Sequence, residues 1–435
     1  MRREDGGKPV LHVVAHLGGG VGRVLLNYLE AVRHGPRRHR LMCLDYANEE
    51  ARARCAAASI PLADRLSERP EELAGALAEA AAAVVHWWNH PLMFKWLTGG
   101  RWPAARVLMW SHVSGRAAPQ PITEALAAFP DLFAAASPVS LKLPALAEAA
   151  ARNRARLLFS TAGVGHLAGA APKAHHGFRV GYLGTVDYAK MHPDFIDLCL
   201  SAGLPEAVFA VAGGPEHEAL RRETERRGVA RRFEILGPVD DPQTFLSTLD
   251  VFGYPLNPDH YGTGEQVLIE AQAAGVPPVV LAGGAEEYVV EHGATGLAAP
   301  LAADYGPCLK QLHDEPEMRL KLSRQAAARA GERFGLEAFI EKFEALLAEL
   351  MAFPKAARRW PGLSAPPRPW EMFLLSQGRA APFFERTLAE GRPPGPVPPA
   401  WLSRSRGTVF HYADFFPEDE RLRKCAGLLD GNTIL

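Results

Sequence analysis

Short apolar runs alternate with amphipathic segments along most of the chain. Twelve runs rich in valine, leucine and alanine predict β-strands, and they form two series of six. The first series comprises residues 10–16, 40–44, 83–86, 106–110, 132–136 and 156–159. The second series comprises residues 179–183, 207–212, 232–236, 250–254, 278–281 and 296–298.

Helical periodicity appears between these runs, at residues 24–33, 70–82, 193–202, 216–227 and 265–274. Continuous apolar strands that alternate with helices are typical of parallel sheets covered on both faces. Twelve strands would be unusually many for one sheet, and a stretch rich in glycine, alanine, histidine and proline (163–177) divides the two series. We therefore predict an α/β protein with two doubly wound, Rossmann-like domains of parallel sheet (1–172 and 173–345).

The last quarter of the chain has a different character. Residues 354–399 contain 11 of the 36 prolines, and proline fixes φ and lacks an amide donor. This segment cannot continue the α/β series, so we predict a separate helical and proline-rich extension over 346–435. Acceptor selection or self-association is our hypothesis for it.

Charge and cysteine usage exclude several classes of protein. The 435 residues include 48 Lys+Arg against 49 Asp+Glu, which argues against a nucleic-acid partner. No apolar run approaches the roughly 18 residues of a membrane-spanning helix, and no secretory signal is expected. The five cysteines are scattered and suit reduced thiols, so we expect a cytoplasmic protein.

Glycines follow several predicted strands. Residues 18–22 (Gly-Gly-Gly-Val-Gly) follow the first strand, while Gly184, Gly213 and Gly237 follow the first three strands of the second series. Ligands of parallel sheets bind outside the carboxyl ends of the strands, where glycine permits close approach and helix N-termini attract anions. The pattern favours phosphate. The first cluster is weak, however, because Arg23 stands where a dinucleotide fingerprint needs its last glycine.

The segment 261–277 carries the most information. Thr263 and Gln266 have the spacing of a capping box, which predicts a helix that starts near Gly264. On this helix Glu270 shares a stripe with small apolar residues, where a carboxylate is seldom buried without a partner. A ribose diol would suit it because a carboxylate accepts two hydroxyl hydrogen bonds; an exposed glutamate or a structural ion pair is the alternative.

This segment resembles the carboxyl-terminal domain of glycosyltransferase family 4, the retaining group 1 enzymes of GT-B fold. The similar pieces occur in family order: Gly184 with Lys190, then 211–214, 235–237, 250–252, 270–277, 283–284 and 295–297. In the first domain the glycines of 18–22, His112, Ser137 and 162–164 also fit. The resemblance covers roughly residues 8–345 and is strongest in the second domain.

The resemblance implies metal-independent transfer of a sugar from a UDP- or GDP-sugar to an acceptor hydroxyl, without a cofactor. It implies that Lys190 holds the donor diphosphate, that Glu270 holds the ribose, and that His112 stabilises charge near the donor sugar. The expected catalytic residues are His112, Glu265 and Lys190. The expected donor-binding residues are Gly19, Gly20, Thr185, Lys190, Gly213, Gly237, Thr263, Gly264, Glu265, Gln266 and Glu270.

Two positions depart from the family pattern. Gly262 stands where the family usually carries a second glutamate, and Thr185 stands where it often carries an arginine. Glu265 is close to the missing carboxylate and could reach the sugar hydroxyls in its place. The alternative is that Glu265 only stabilises the helix start, since acidic residues favour the first turn of any helix.

The acceptor is a glycan, a lipid-linked or protein substrate, or a small molecule, and the sequence does not choose among them. His86 closes a predicted strand, and together with Trp87, Trp88 and Asn89 it could line the acceptor pocket; tryptophans buried in the core are the alternative. The spacing of His86 and His90 could also suggest a metal, but no nearby carboxylate or cysteine completes a site. Peripheral membrane contact through the arginines of 221–232, and homo-oligomers, stay open.

Two rival functions remain. Gly262 makes a non-catalytic scaffold that binds nucleotide sugars plausible. Asp45, at the end of the second strand, is where an NAD(P)-dependent oxidoreductase would bind ribose, although the broken glycine fingerprint argues against that class.

Overall fold

The computed structural model describes residues 7–431 except 168, 171, 174 and 264. The chain forms two compact units. Unit 1 combines the residues up to Ala162 with those from Phe339 onward, and unit 2 spans Gly163–Ala338. The proline-rich segment therefore groups with the first α/β unit, and the change of unit near Gly163 falls at the start of the stretch that separates the two strand series.

The amino-terminal part of unit 1 alternates strands and helices. Its strands are β1 (Val10–Val14), β2 (His39–Cys43), β3 (Leu62–Ala63), β4 (Ala82–Trp87), β5 (Trp102–Ala105), β6 (Val107–Ser111), β7 (Leu132–Ala135) and β8 (Ala155–Leu157). Its helices are α1 (Gly19–Val32), α2 (Glu49–Ala57), α3 (Pro70–Glu79), α4 (Pro91–Thr98), α5 (Glu124–Ala128), α6 (Pro138–Leu141) and α7 (Ala147–Ala151).

Among the described residues, seven of these strands form one parallel sheet in the order β3-β2-β1-β4-β6-β7-β8. Every residue of β1, β4, β6 and β7 is buried, as expected for strands that are covered on both faces. The chain runs outward from β1 to β3, then returns and runs outward from β4 to β8. The order therefore reverses between β1 and β4, which is where ligands of doubly wound sheets bind.

Unit 2 repeats this plan. Its strands are β9 (Arg179–Leu183), β10 (Val208–Ala212), β11 (Phe233–Gly237), β12 (Val251–Tyr254), β13 (Pro278–Leu281) and β14 (Leu297–Ala299). Its helices are α8 (Phe195–Leu200), α9 (His217–Arg226), α10 (Pro242–Ser247), α11 (Gln266–Ala273), α12 (Tyr305–Asp314) and α13 (Pro316–Phe334). The described strands form a parallel sheet in the order β11-β10-β9-β12-β13-β14, so its order reverses between β9 and β12.

The carboxyl-terminal segment is largely helical. It comprises α14 (Leu336–Leu350), β15 (Ala356–Arg358), α15 (Pro369–Gln377), α16 (Ala381–Glu390), α17 (Val409–Phe415) and α18 (Glu420–Leu429). Phe339 and Phe343 of α14 pack on Trp110, with ring centroids 5.6 and 5.2 Å apart. β15 pairs antiparallel with β5. Burying several large aromatic side chains, at about 1.5–3 kcal/mol each, fastens this segment to unit 1.

The twelve predicted strands are confirmed, each shifted by no more than a few residues. The strands that the pattern did not predict are β3, β5 and β15, which are two, four and three residues long. No described helix has both the length and the apolar character needed to cross a membrane.

Candidate functional site

Lys190 and Glu265 meet at the carboxyl edge of unit 2, where the strand order reverses. Lys190 lies in the loop after β9, and Glu265 lies in the segment after β12. The Lys190 Nζ atom is 2.8 Å from Glu265 Oε2, and the Tyr254 hydroxyl donates to the same oxygen at 2.8 Å. The two charged side chains are 12% and 5% exposed, so this ion pair is nearly removed from water.

Backbone contacts hold the Lys190 loop in place. The Lys190 N–H donates to Asp187 Oδ1 at 3.0 Å, and the Asn257 N–H donates to the Lys190 carbonyl at 2.8 Å. These bonds connect the loops that follow β9 and β12. The position of the ammonium group is therefore set by the fold on both sides of the reversal point.

Glu265 is ionised in this environment. Burial raises the pKa of its carboxyl, but the Lys190 ammonium and the His260 imidazole outweigh burial and hold that pKa below its ordinary value. A carboxylate fixed beside an ammonium can accept hydroxyl hydrogen bonds while the ammonium binds an anion.

The backbone of Glu265 explains how its side chain reaches this position. Glu265 is the N-cap of α11 and has left-handed dihedrals (φ 38°, ψ 77°), which are uncommon for a residue other than glycine. A Cβ atom added at Gly262 would overlap Glu265 Oε1. The Glu265 carboxylate therefore occupies the space that a side chain at position 262 would enter, the position where the family pattern has its second glutamate.

Two residues that the sequence analysis missed complete the cluster. His260 Nε2 is 3.1 Å from Glu286 Oε1, and both side chains are buried. The Gly262 N–H donates to His260 Nδ1 at 2.9 Å, so the neutral ring carries its proton on Nε2, toward Glu286. Burial lowers the pKa of His260, but the Glu286 carboxylate outweighs burial and raises it above the ordinary value. The only sequence signal for Glu286 was the preceding pair Gly283-Gly284, where a Cβ on Gly284 would overlap Glu286 Oε2.

Within the described part of the chain, His260, Glu265 and Glu286 offer ligand atoms that lie within 4.8 Å of one another, close enough to hold a metal ion. The Lys190 ammonium already contacts the Glu265 carboxylate, and the His260 ring faces Glu286. Each carboxylate thus has a nitrogen partner of its own.

Glu270 is buried on α11, as the apolar stripe predicted. It is 4% exposed, its Oε1 accepts from Gln266 Nε2 at 3.2 Å, and His166 Nε2 lies 3.6 Å from the same oxygen. The predicted capping box between Thr263 and Gln266 is wrong, because α11 begins at Gln266. The side-chain amide of Gln266 donates instead to the Glu270 carboxylate and to the Gly163 carbonyl. Gly264 lies outside the described residues. The residue before it, Thr263, is buried.

The glycines after β9, β10 and β11 pack against one another. The Gly184 N–H donates to the Ala212 carbonyl at 3.1 Å, and the Gly213 N–H donates to the Gly237 carbonyl at 2.7 Å. A Cβ on Gly213 would overlap the Gly184 carbonyl oxygen. The amides of Gly184 and Gly213 thus join neighbouring loops, while the Thr185 carbonyl accepts the Tyr182 hydroxyl at 2.7 Å. Their expected roles in donor binding stay predictions.

In unit 1, Gly19 and Gly20 open helix α1 at the carboxyl end of β1. Both are exposed, and an added Cβ would have no neighbour within 4 Å. The preceding residue, Gly18, provides no side-chain cap. The start of this 14-residue helix is therefore exposed and has no side-chain cap. The expected roles of Gly19 and Gly20 in donor binding stay predictions.

His112 lies just beyond β6, and both of its ring nitrogens have partners. Its Nε2 is 3.0 Å from His86 Nδ1, and its Nδ1 is 3.3 Å from Ser160 Oγ. Burial lowers the pKa of His112 to about 3, so the ring is neutral at physiological pH. In this state the His112 ring can take part in hydrogen bonds, but it does not carry a positive charge.

Of the four residues suggested for the acceptor, three are buried. His86 and Asn89 are fully inaccessible, and Trp87 is 1% exposed. Asn89 holds the carboxyl-terminal segment, since its Oδ1 accepts the Tyr412 hydroxyl at 3.0 Å. Trp88 is partly exposed and clusters with the rings of His16, His90 and His411.

The arginines of 221–232 are largely engaged inside unit 2. Arg226 and Arg227 pair with Glu223, Arg227 also pairs with Asp197, and Arg232 donates to the Ala207 carbonyl at 2.9 Å. These contacts are typical of a solvated helix face whose charges are paired within unit 2, which is the alternative to a membrane-binding surface.

Comparisons with known proteins bear on the family of unit 2 and on the fold. Residues 177–313 match the family model described as glycosyl transferases group 1. The chain is 27% identical over 138 residues to the lipopolysaccharide core biosynthesis glycosyltransferase LpsD of Rhizobium meliloti, an alignment that covers 31% of this chain and 39% of LpsD. It is 30% identical over 164 residues to the D-inositol 3-phosphate glycosyltransferase of Mycobacterium leprae, which covers 35% and 36% of the two chains. These alignments thus span well under half of each relative.

Solved structures share the fold over a longer stretch. HepE of Anabaena, solved with UDP and glucose, superposes with a TM-score of 0.62 at 15% identity and covers 79% of this chain and 100% of its own. Sucrose-phosphate synthase of Thermosynechococcus elongatus gives a TM-score of 0.59 at 16% identity and covers 79% and 99%. These likenesses show that the two α/β units have the GT-B fold.

Proposed function

We propose, from the premise that residues 177–313 form a group 1 glycosyltransferase domain, that this protein transfers a sugar from a nucleotide-activated donor to an acceptor hydroxyl. The donor we propose is a UDP- or GDP-sugar, and the transfer retains the anomeric configuration and needs no metal ion. HepE was solved with UDP-glucose, which supports trying UDP-sugars first. Five cysteines without disulfides suit work in the cytoplasm.

The observation that carries this proposal is the ion pair between Lys190 and Glu265 at the reversal point of the unit 2 sheet. A buried ammonium at the carboxyl edge of a parallel sheet is suited to bind an anionic ligand. Because Glu265 shares that ammonium, the diphosphate of the donor would compete for Lys190 and release the carboxylate for the sugar hydroxyls.

In the reaction we propose, the bond between the anomeric carbon and the diphosphate breaks, and negative charge grows on the leaving phosphate. Lys190 stabilises this charge in a site with little water, where a fixed cation has a larger effect than in solution. The acceptor oxygen forms the new bond and passes its proton to the departing phosphate. Glu270 would hold the ribose through its two hydroxyls, and the neutral His112 ring would donate to a donor-sugar oxygen.

The proposal is tested by presenting UDP-, GDP-, dTDP- and ADP-sugars and following thermal stability, then incubating the stabilising donor with a range of acceptors. We expect one donor class to raise the melting temperature, because a ligand that binds only the native state stabilises it. We also expect transfer, or slow donor hydrolysis, to continue in EDTA. Loss of turnover in EDTA that Mg²⁺ or Mn²⁺ restores would contradict metal independence.

A non-catalytic scaffold is the second candidate, and Gly262 is the observation that favours it. The position of the Glu265 carboxylate in the space beside Gly262 favours the enzyme instead. Tight donor binding without transfer or hydrolysis under any condition would decide for the scaffold.

A further inference from the structure

Four histidines form a continuous chain of hydrogen bonds through unit 1. His39 Nδ1 is 3.0 Å from His12 Nε2, His12 Nδ1 is 3.1 Å from His86 Nε2, and His86 Nδ1 is 3.0 Å from His112 Nε2. The chain ends on Ser160 Oγ, 3.3 Å from His112 Nδ1. We call these four imidazoles the histidine relay.

The register of the parallel sheet builds the relay. His39 is paired with Val10, and His12 lies two residues further along β1. His12 is paired with Val84, and His86 lies two residues further along β4; His86 is paired with Trp110, and His112 follows two residues later. A step of two keeps every ring on the same face of the sheet, so the relay crosses β2, β1, β4 and β6 as a diagonal.

The relay runs from one surface of unit 1 to another. His12 and His86 are fully buried, whereas His39 and His112 are partly exposed. The rings of His86 and His112 are within 6° of parallel, which suits a hydrogen bond from ring edge to ring edge. Burial lowers the pKa of all four rings, that of His39 to about 4, so each is neutral at physiological pH.

A neutral imidazole has one N–H donor and one bare acceptor nitrogen. Because the rings of the relay are joined nitrogen to nitrogen, every ring must donate its hydrogen bond in the same direction along the relay. Either all four protons are on Nδ1 or all four are on Nε2. The tautomer of His112 is thus coupled to that of His39, although the two residues do not touch.

The His39 end selects between the two directions. His39 Nε2 is buried and has no hydrogen-bond partner. If the protons were on Nε2, the buried His39 Nε2–H would have no acceptor. If they are on Nδ1, His39 Nε2 has only an unshared lone pair. Buried donors without an acceptor are rarer in proteins than buried acceptors without a donor, so the Nδ1 arrangement is favoured. Charged groups near His39 are Glu344 and Arg37, and the Tyr28 ring packs against it.

We propose that His39, His12 and His86 are positioning residues that hold His112 in its Nδ1–H tautomer, with this N–H directed toward Ser160 Oγ, whose place a donor-sugar oxygen would take. A fixed tautomer makes His112 a hydrogen-bond donor of fixed direction at the carboxyl edge of unit 1. Its consequence for catalysis rests on the proposed function. The tautomer itself is a property of the free protein. It can therefore be measured without any sugar.

The test compares two variants of nearly equal shape. In His39→Asn the side-chain NH₂ takes the place of Nδ1–H and still donates to His12. In His39→Asp the carboxylate can only accept, so the relay must reverse and the His112 proton must move to Nε2. Long-range ¹H–¹⁵N spectra of protein labelled with ¹⁵N-histidine report which nitrogen carries the proton.

We expect an Nδ1 proton on His112 in the native protein and in His39→Asn, and an Nε2 proton in His39→Asp. His34→Gln, at an exposed histidine outside the relay, should leave the His112 spectrum unchanged. A His112 tautomer that is the same in all variants, or an Nε2 proton in the native protein, overturns the proposal. If a variant does not fold, ¹⁵N–¹⁵N couplings across the N–H···N bonds of the native protein decide, and their absence also overturns it.

Kinetics provide the second readout. His39→Asp should lower kcat at least about tenfold while the donor Kd changes less than about twofold, because a misplaced proton affects the transition state and not donor binding. His39→Asn should retain most of the native kcat. If the spectra show the relay but no donor is turned over, the proposed function fails and the relay stands.

Discussion

Glu265 and Gly262 depend on each other at the scale of single residues. Glu265 has a left-handed backbone, a conformation that costs a residue with a side chain on the order of 1–3 kcal/mol, and its carboxylate fills the space beside Gly262. Strain of this kind is retained where the surrounding contacts require it, here those with Lys190 and Tyr254. The two positions therefore share one space, which the side chain of residue 265 fills.

Substituting Gly262 tests this dependence. Gly262→Ala should push the Glu265 carboxylate away from Lys190 and lower kcat/KM by roughly 10²-fold, as the loss of one electrostatic contact to the transition state does. The double variant Gly262→Glu with Glu265→Gly should recover much of that loss, because it removes the strained backbone and returns a carboxylate to position 262. Gly75→Ala on α3, where an added Cβ has no neighbour within 4 Å, is the control. Full activity in Gly262→Ala would refute the dependence.

Glu270 gives the second prediction at this scale. Glu270→Ala should weaken nucleotide binding by about 1–3 kcal/mol, the free energy of hydrogen bonds to a charged group. Isothermal titration with the nucleoside diphosphate measures it, and Glu225→Ala, at an exposed position of α9, is the matched control. Equal affinities in the native protein and both variants would remove Glu270 from the ribose site.

At the scale of elements, a buried ion pair joins the loop after β9 to the segment after β12, in addition to the backbone hydrogen bond between Asn257 and Lys190. Removing one partner of such a pair leaves an uncompensated buried charge, which costs about 3–5 kcal/mol. Removing both partners leaves none. The energetics of unit 2 should therefore show strong coupling between Lys190 and Glu265.

A double-mutant cycle measures that coupling. Lys190→Met should destabilise unit 2 by about 3–5 kcal/mol in urea unfolding followed by circular dichroism, and Lys190→Met with Glu265→Gln should regain a large part of the loss. Additive effects of the two single substitutions would show that the carboxylate and the ammonium do not interact in solution.

The elements also show what the sequence could and could not predict. The twelve strands were predictable because each is short and largely apolar and is separated from the next by a helical pattern or a glycine-rich turn, and Lys190 and Glu265 were identified from a resemblance. Tyr254, His260 and Glu286 join them only because β12 lies between β9 and β13 in the sheet, an order that no local pattern contains. The histidine relay escaped for the same reason, since residues 12, 39, 86 and 112 have no common spacing.

At the scale of the molecule, the carboxyl-terminal segment belongs to the packing of unit 1. The sequence predicts a separate extension from its prolines, but α14 places Phe339 and Phe343 against Trp110, and Tyr412 donates to Asn89. These contacts join positions more than two hundred residues apart, so composition alone could not place the segment. Removing the carboxyl-terminal segment would expose apolar core residues of unit 1. A truncated protein would therefore not reveal the function of the segment itself.

The buried histidines predict how the stability of unit 1 depends on pH. The folded-state pKa of His39 is about 4 and that of His112 about 3, whereas unfolded histidine titrates near 6.5. Below pH ~6.5 the unfolded chain binds more protons, so stability is complete above that pH and is lost as the pH falls toward the folded-state values. Each such ring removes about 1.4 kcal/mol per pH unit.

Tryptophan fluorescence can follow this loss selectively, since all 8 tryptophans lie outside Gly163–Ala338. The urea midpoint should be level between pH 8.5 and 7.5 and should fall steadily from pH 6.5 to 5. A midpoint that stays level down to pH 5 would mean that the rings are protonated in the folded protein, against the neutral relay.

The most direct test of the whole account is a crystal structure of the protein with UDP or the best donor found by thermal shift. We predict that the diphosphate lies within hydrogen-bond distance of Lys190 Nζ, that the ribose hydroxyls lie on the Glu270 carboxylate, and that Glu265 has loosened its contact with the ammonium. A nucleotide bound away from the carboxyl edge of β9 and β12, with the pair between Lys190 and Glu265 undisturbed, would contradict the account.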